Sequence, residues 1–395
     1  MSAREPRTLV LCLDGSWAQY NPQRNTNVVK FYALLDKDHV EGQACYYQAG
    51  VGTYFEPGVV SPLLTTTAKL LDMAFAWYLS EHVLDGYRFL MQNYNVGDKV
   101  CLFGFSRGAY TARALAGMIK KVGLLSKDNF EQVSFAYKIY TSTDEDLARG
   151  FKEIFSRDVP IEFVGVWDTV ASVGLVLRQT LPYVSWNSGI KTLRHAVALD
   201  EHRVRFNPSL YDMTGEGDTV TTNALHSDAD TEKDTDAEEV WFVGGHTDIG
   251  GGAEPESVES SLSHIALRWM VREVIRADCG IVFDAKALAE IGVSATPGPV
   301  DGPADPRDEK DAMATRHCDL RTYPIFWLLE FLPSSYNTQN PLWRVPRWGL
   351  HLGRGREAHG ALKFHTTVKI RMDNMPRYKP KARYHRDGDE VTYVW

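Results

Sequence analysis

The chain is 395 residues long, 44% hydrophobic and 24% charged, with 51 acidic and 43 basic side chains giving a formal charge of −8. This is the composition of a folded soluble protein, which excludes whole-chain disorder. The acidic balance argues against non-specific nucleic-acid binding, which needs Lys and Arg to neutralise phosphates. Five cysteines, odd in number and without metal-type spacing, argue against a disulfide framework or a zinc site.

The first apolar run, Leu9 to Leu13, is too short for a signal-peptide core and ends in the turn Asp14-Gly15, the pattern of a strand buried on both faces. Asn25 or Thr26 caps a short helical run to Leu35, and Cys45 to Ala49 reads as a second strand. A long helix is expected from Thr66 to Tyr94; its most apolar part, Ala68 to Leu79, is interrupted by Lys69 and Asp72. No window approaches the roughly 20 apolar residues of a membrane span, so a cytoplasmic location is expected.

Val100 to Phe103 is another buried strand, and the chain turns helical from Ser106. Ile161 to Trp167 and Val240 to Val243 are strands closing at Asp168 and at Gly244-Gly245-His246; Ser260 to Ile275 is an amphipathic helix. Strands alternating with helices predict an α/β fold, α/β-hydrolase-like, with a mostly parallel central sheet covered on both faces. One domain over residues 1–395 is expected, with its core at roughly 8–280. The acid-rich 212–239 and the Pro/Gly-rich 294–311 read as surface loops. From about Tyr323 an aromatic, basic extension either packs over the sheet or forms a lid or small subdomain.

Gly104-Phe105-Ser106-Arg107-Gly108 is the only G-x-S-x-G, placed between a buried strand and a helix. That context sets a serine on a tight turn, with glycines letting strand and helix pass closely, and makes Ser106 the candidate nucleophile. The Arg107 N–H at the helix start is one candidate oxyanion donor; Gly15 or Ser16, after the first strand, supplies the other. A serine nucleophile needs a base and an orienting acid, expected in the order Ser, Asp or Glu, His at strand ends. His246 fits the base and Asp168 the acid. Asp248, two residues past His246, rivals Asp168, and Asp14 is either a supporting group or a turn residue. His195 and His202 flank HAVALDEHR; His264, His317, His351, His359 and His365 are further histidines without a clear strand-end position.

LDGSW, YYQAGVGT, GDKVCLFGFSRGAYTARALAG, FVGVWDTVASVG, HAVALDEHR, VWFVGGHTDIGGG and LRWMVRE, in order from Leu9 to about Glu273, resemble an α/β-hydrolase family. This family includes the catalytic domains of type VI secretion phospholipase effectors and many bacterial and fungal proteins. The resemblance implies a Ser-Asp-His triad on Ser106, Asp168 and His246, and lipid ester hydrolysis. The turn here reads DGSW where the family carries Thr after Gly.

The reading is a serine hydrolase of carboxylic esters, phospholipid or other lipid, acting without cofactor or metal on a small-molecule or lipid ester. An apolar segment from Val59 to Leu79 is either an acyl-binding lid making peripheral membrane contact or a core helix. Two alternatives stand beside it. One is a metal-dependent phosphoesterase using Asp14, Asp168, His246 and Asp248; the other is a non-catalytic binding protein on a hydrolase scaffold. The acidity is concentrated: seven acids and one lysine lie between His226 and Glu239, just before the His246 strand.

Overall fold

The computed structural model describes residues 5–16, 18–50, 66–170, 181–212, 235–297, 305–322, 325–331, 334–337, 346–384 and 390–395. β1 (Thr8–Leu13) is buried at every position, and α1 (Asn27–Leu34) starts at Thr26, whose hydroxyl accepts the Val29 N–H at 3.3 Å. β2 (Gln43–Gln48), α2 (Thr66–Asn93), β3 (Lys99–Phe105) and α3 (Arg107–Val122) follow. A short antiparallel pair, β4 (Leu124–Leu125) with β5 (Ser156–Arg157), brackets α4 (Phe130–Tyr140) and α5 (Glu145–Phe155). Next come β6 (Ile161–Trp167), β7 (Ile190–Ala198), β8 (Asp236–Phe242), α6 (His246–Gly250) and α7 (Leu262–Ala277). The remainder holds α8 (Ala285–Ile291), α9 (Pro306–Ala312), α10 (Asp319–Thr322), α11 (Ile325–Glu330), and an antiparallel pair of β9 (Ser334–Asn337) and β10 (Pro346–Gly349). β11 (Leu362–His365), α12 (Thr366–Asn374) and β12 (Val391–Val394) close the chain.

Eight strands form one sheet in the order β2-β1-β3-β6-β7-β8-β11-β12, and every neighbouring pair is parallel. The period of two in β1 divides it between two cores. Leu9, Leu11 and Leu13 pack with α2, α3, α4 and α5 on one face, and Val10 and Cys12 with α1 and α7 on the other. The register aligns the strand ends: Leu13 pairs with Gly104, Phe105 with Trp167, Trp167 with Ala196, and Ala198 with Phe242. Whatever follows these strands therefore meets on one edge of the sheet, where parallel α/β folds place their sites.

Three boundaries differ from the sequence reading. The expected acidic loop 212–239 ends earlier, because Asp236–Phe242 is β8; in its first half the exposed Asp236 pairs with Arg194 and the half-buried Glu238 with Lys363. The expected loop 294–311 holds α9, started by Asp305 as cap and Pro306 in the first turn. The extension does not merely pack on the sheet: β11 pairs with β8 and β12 with β11, so the sheet runs well past the core boundary expected near 280. Residues 59–65 of the proposed lid and residues 213–234 lie outside the described residues. Among the described residues no helix is long and apolar enough to cross a membrane.

The close approach of α3 to β3 and to the end of β1 depends on two glycines. A Cβ on Gly108 would stand 2.2 Å from the Leu13 carbonyl oxygen, and one on Gly104 would stand 2.5 Å from the Gly108 carbonyl oxygen. Both obstacles are backbone, so neither yields without moving an element. Gly108→Ala is therefore expected to cost about 3 kcal/mol, read from the urea midpoint. An unchanged midpoint would show that strand and helix are not in close contact there.

Candidate active site

Ser106 sits between β3 and α3 with φ 58° and ψ −119°, a backbone conformation unfavourable for any residue with a Cβ. It is pinned by its N–H, which donates to the Trp167 carbonyl at 3.0 Å, and by the glycine crossing. Its hydroxyl makes no capping bond to α3. Instead Oγ lies 2.8 Å from His246 Nε2, so Ser106 does not serve as a helix cap. The site is enclosed: Ser106 is 6% exposed and His246 4%.

His246 is the first residue of α6, and its backbone N–H donates to Glu201 Oε2 at 3.1 Å. Its ring lies between Phe105 and Phe206, with centroids at 4.6 and 4.9 Å. Nδ1 stands 2.5 Å from Asp168 Oδ2. Because Asp168 accepts there, Nδ1 carries the proton and Nε2 is left as the acceptor facing Ser106.

Asp168 follows β6 with φ 41° and is completely buried. Its Oδ1 accepts the Ala198 N–H at 2.8 Å and Arg356 Nη1 at 2.6 Å, while Oδ2 accepts Arg356 Nη2 at 2.9 Å. Burial pushes this carboxyl up, but the Arg356 charge and the His246 and Arg356 hydrogen bonds outweigh it and hold it far below the usual carboxylate range. Glu201 is similar: burial raises it, while Arg203, then Arg356 and His246, bring it down to about 2.

Asp248, the rival acid, faces elsewhere. Its Oδ1 takes His317 Nδ1 at 2.7 Å, and its Oδ2 takes the N–H groups of Gly245 and His317 at 2.9 and 3.0 Å. Burial raises its pKa against those bonds. Asp14 accepts from the Gly15 N–H at 2.7 Å, from Thr26 at 2.8 Å and from Tyr47 at 2.8 Å; burial pushes it up to about 6. It holds the turn after β1.

That arrangement corrects one expected oxyanion donor. The Gly15 N–H is spent on Asp14, which leaves Ser16 and Arg107 of the three candidates. The turn itself is in place, since a Cβ on Gly15 would stand 3.4 Å from Ser106 Cβ. The Ser16 hydroxyl is buried with no partner among the described residues. The Arg107 guanidinium is pushed down to about 10 by burial and the neighbouring Arg203 charge.

The four groups of the metal-site alternative do not converge. Asp168 is committed to His246 and Arg356, Asp248 to His317, and Asp14 to Thr26 and Tyr47. Among the described residues no group of three or more His, Cys, Asp or Glu side chains is arranged to hold a metal ion. The other histidines are engaged elsewhere. His195 Nε2 accepts the Thr169 N–H at 3.0 Å while Nδ1 faces Glu239 at 2.7 Å; His202 contacts Lys381, and His351 Glu330. Sequence reasoning missed Glu201, Phe206 and Arg356. Arg356 is 188 residues from Asp168, and nothing local in the basic extension marks it.

A parallel sheet carrying a strained serine elbow, with histidine and aspartate delivered from the next strand ends, is α/β-hydrolase-like. The family is identified by sequence. Residues 7–273 match the family model described as the T6SS phospholipase effector Tle1-like catalytic domain, and the chain belongs to that family. It is 30% identical over 408 residues to uncharacterized protein YEL023C of Saccharomyces cerevisiae, a match covering 73% of this chain and 60% of that protein. Among solved structures, an uncharacterized protein from Pseudomonas aeruginosa is 21% identical with a TM-score of 0.40, covering 73% of this chain and 49% of that one. The Tle1 effector bound to the VgrG spike from the Type 6 secretion system is 17% identical with a TM-score of 0.37, covering 65% of this chain and 53% of that one. The chain thus spans about 60% of the length of the curated relative it matches.

Proposed function

We propose that this protein is a serine hydrolase of carboxylic esters whose substrates are lipids, glycerophospholipids among them. The observation that carries the reading is the unbroken chain Ser106–His246–Asp168, with contacts of 2.8 and 2.5 Å. Family membership supports the lipid ester class.

In this mechanism Ser106 Oγ attacks the ester carbonyl as its proton passes to His246 Nε2. The carbonyl oxygen becomes an oxyanion between the Arg107 and Ser16 N–H groups. Collapse breaks the ester C–O bond, and His246 returns the proton to the departing alcohol. Water, activated by the same nitrogen, then hydrolyses the acyl-serine. Asp168 keeps the proton on Nδ1 throughout and stabilises the imidazolium. Asp248 is a structural group that anchors α6 through His317.

The test is an ester panel running from p-nitrophenyl acetate to long-chain phosphatidylcholine and phosphatidylethanolamine vesicles, with released acid measured directly. Turnover is expected across the carboxylic esters, with free fatty acid from the vesicles. Hydrolysis of phosphate esters alone would contradict the reading.

A further inference from the structure

The acid of the site is gripped by a residue that lies beyond the family-matched span of 7–273. Arg356 precedes β11 and is 3% exposed. All five of its N–H donors are engaged. Two form a fork on Asp168, at 2.6 Å to Oδ1 and 2.9 Å to Oδ2. One binds the Ala198 carbonyl at 2.9 Å, and two bind the Phe206 carbonyl at 2.6 and 3.1 Å. Its own carbonyl accepts the Arg383 N–H at 2.7 Å, which ties the fork to the segment leading to β12.

A bidentate fork fixes the plane of the carboxylate as well as its charge. Here the fork takes both oxygens, including the Oδ2 that also meets His246 Nδ1. Without it, a fully buried carboxylate keeps one backbone N–H and one imidazole, too little to hold a charge away from water. We propose that Arg356 is a positioning residue for the reaction. It keeps Asp168 ionised and in one orientation against His246 Nδ1, so that the C-terminal extension completes the active site. The proposal rests on the Ser106–His246–Asp168 reading given above.

The pH consequence has a definite sign. The charged groups around His246 are Asp168, Arg356, Glu201 with its partner Arg203, Arg107 beside Ser106, and, on its own helix, Asp248 with His317. Removing Arg356 takes a cation from behind the Asp168–His246 pair, so the pair takes up a proton more readily. The acid limb of kcat/KM, which reports that protonation in the free enzyme, moves to higher pH.

The test uses the full chain with a soluble p-nitrophenyl ester between about pH 5 and about pH 9, where a histidine base titrates. Wild type, Arg356→Gln and Arg356→Lys are compared, with thermal melts alongside. For Arg356→Gln, kcat/KM near neutrality is expected to fall about 100-fold, because the acid and its imidazole lose their fixed geometry. Its acid limb is expected about one pH unit higher, with activity partly regained in alkali. Arg356→Lys keeps the charge and loses the fork, so its acid limb stays while the rate falls about 10-fold. A folded Arg356→Gln with an unmoved acid limb overturns the proposal. If that variant does not fold, Arg356→Lys decides: a wild-type rate overturns it. Ser106→Ala, run in parallel, separates the two levels. Turnover surviving in Ser106→Ala removes the serine mechanism itself, whereas an inactive Ser106→Ala beside a wild-type-like Arg356→Gln removes only the role of Arg356.

Discussion

Ser106→Ala is expected to lower ester turnover by about 10⁵-fold or more while leaving the fold intact. Among the described residues the hydroxyl makes no cap bond to α3, and its hydrogen bond is to His246 Nε2. The expected loss is large because nucleophile and base act as one unit, and removing one disables the other. For the same reason Ser106→Ala combined with His246→Ala is expected to be no slower than Ser106→Ala alone. Ser106→Gly is a useful companion, because position 106 has φ 58°, which glycine adopts without strain. It should be equally inactive and about 1 kcal/mol more stable than Ser106→Ala. Turnover and urea midpoints of the three variants check this, and substantial activity in any of them would contradict it.

Asp168→Asn is expected to combine two losses. Catalysis should fall by about 10⁴-fold, because an amide no longer holds the proton on His246 Nδ1 and the wrong tautomer faces Ser106. Stability should also fall, by about 3–5 kcal/mol, because Arg356 is left as a buried cation without its counter-charge. The second effect distinguishes this site from a triad whose acid is held only by neutral donors. Asp248→Asn separates the rivals: it loosens the His317 contact and should slow turnover by less than about tenfold. An equal collapse in both variants would mean that Asp248 shares the orienting role.

Part of the fold is legible because β1, β3 and β6 are largely apolar and end in polar or glycine turns, whereas β7, with Lys191, Arg194 and His195 in it, carries no such signal. β6 matches its predicted bounds, and Thr26 was one of the two candidate caps. The expected Ser, Asp and His positions rest on the same logic, since in-register parallel strands bring their C-terminal ends together. The sequence leaves Asp168 and Asp248 as alternatives when His246 is taken as a strand end. The structure makes it the first residue of α6, and residues two apart on a helix point away from each other. Asp248 therefore turns to His317.

Other features had no local signature. The contact between Arg356 and Asp168 spans 188 residues, and an arginine in a basic extension looks the same whether solvated or buried. The sequence offers the Gly15 N–H as an oxyanion donor, but the Asp14 side chain folds back on its own turn and accepts it. The α9 start was readable in principle, with Asp305 and Pro306 as cap and first turn, but the surrounding Pro and Gly residues obscured it.

The central claim is that Ser106 is a nucleophile activated by His246. It is tested most directly by treating the full chain with a fluorophosphonate and mapping the adduct by mass spectrometry. One stoichiometric adduct on Ser106 is expected, absent from Ser106→Ala and slowed in parallel with turnover in Asp168→Asn. Continued ester hydrolysis by fully treated protein, with Ser106 unmodified, would contradict it.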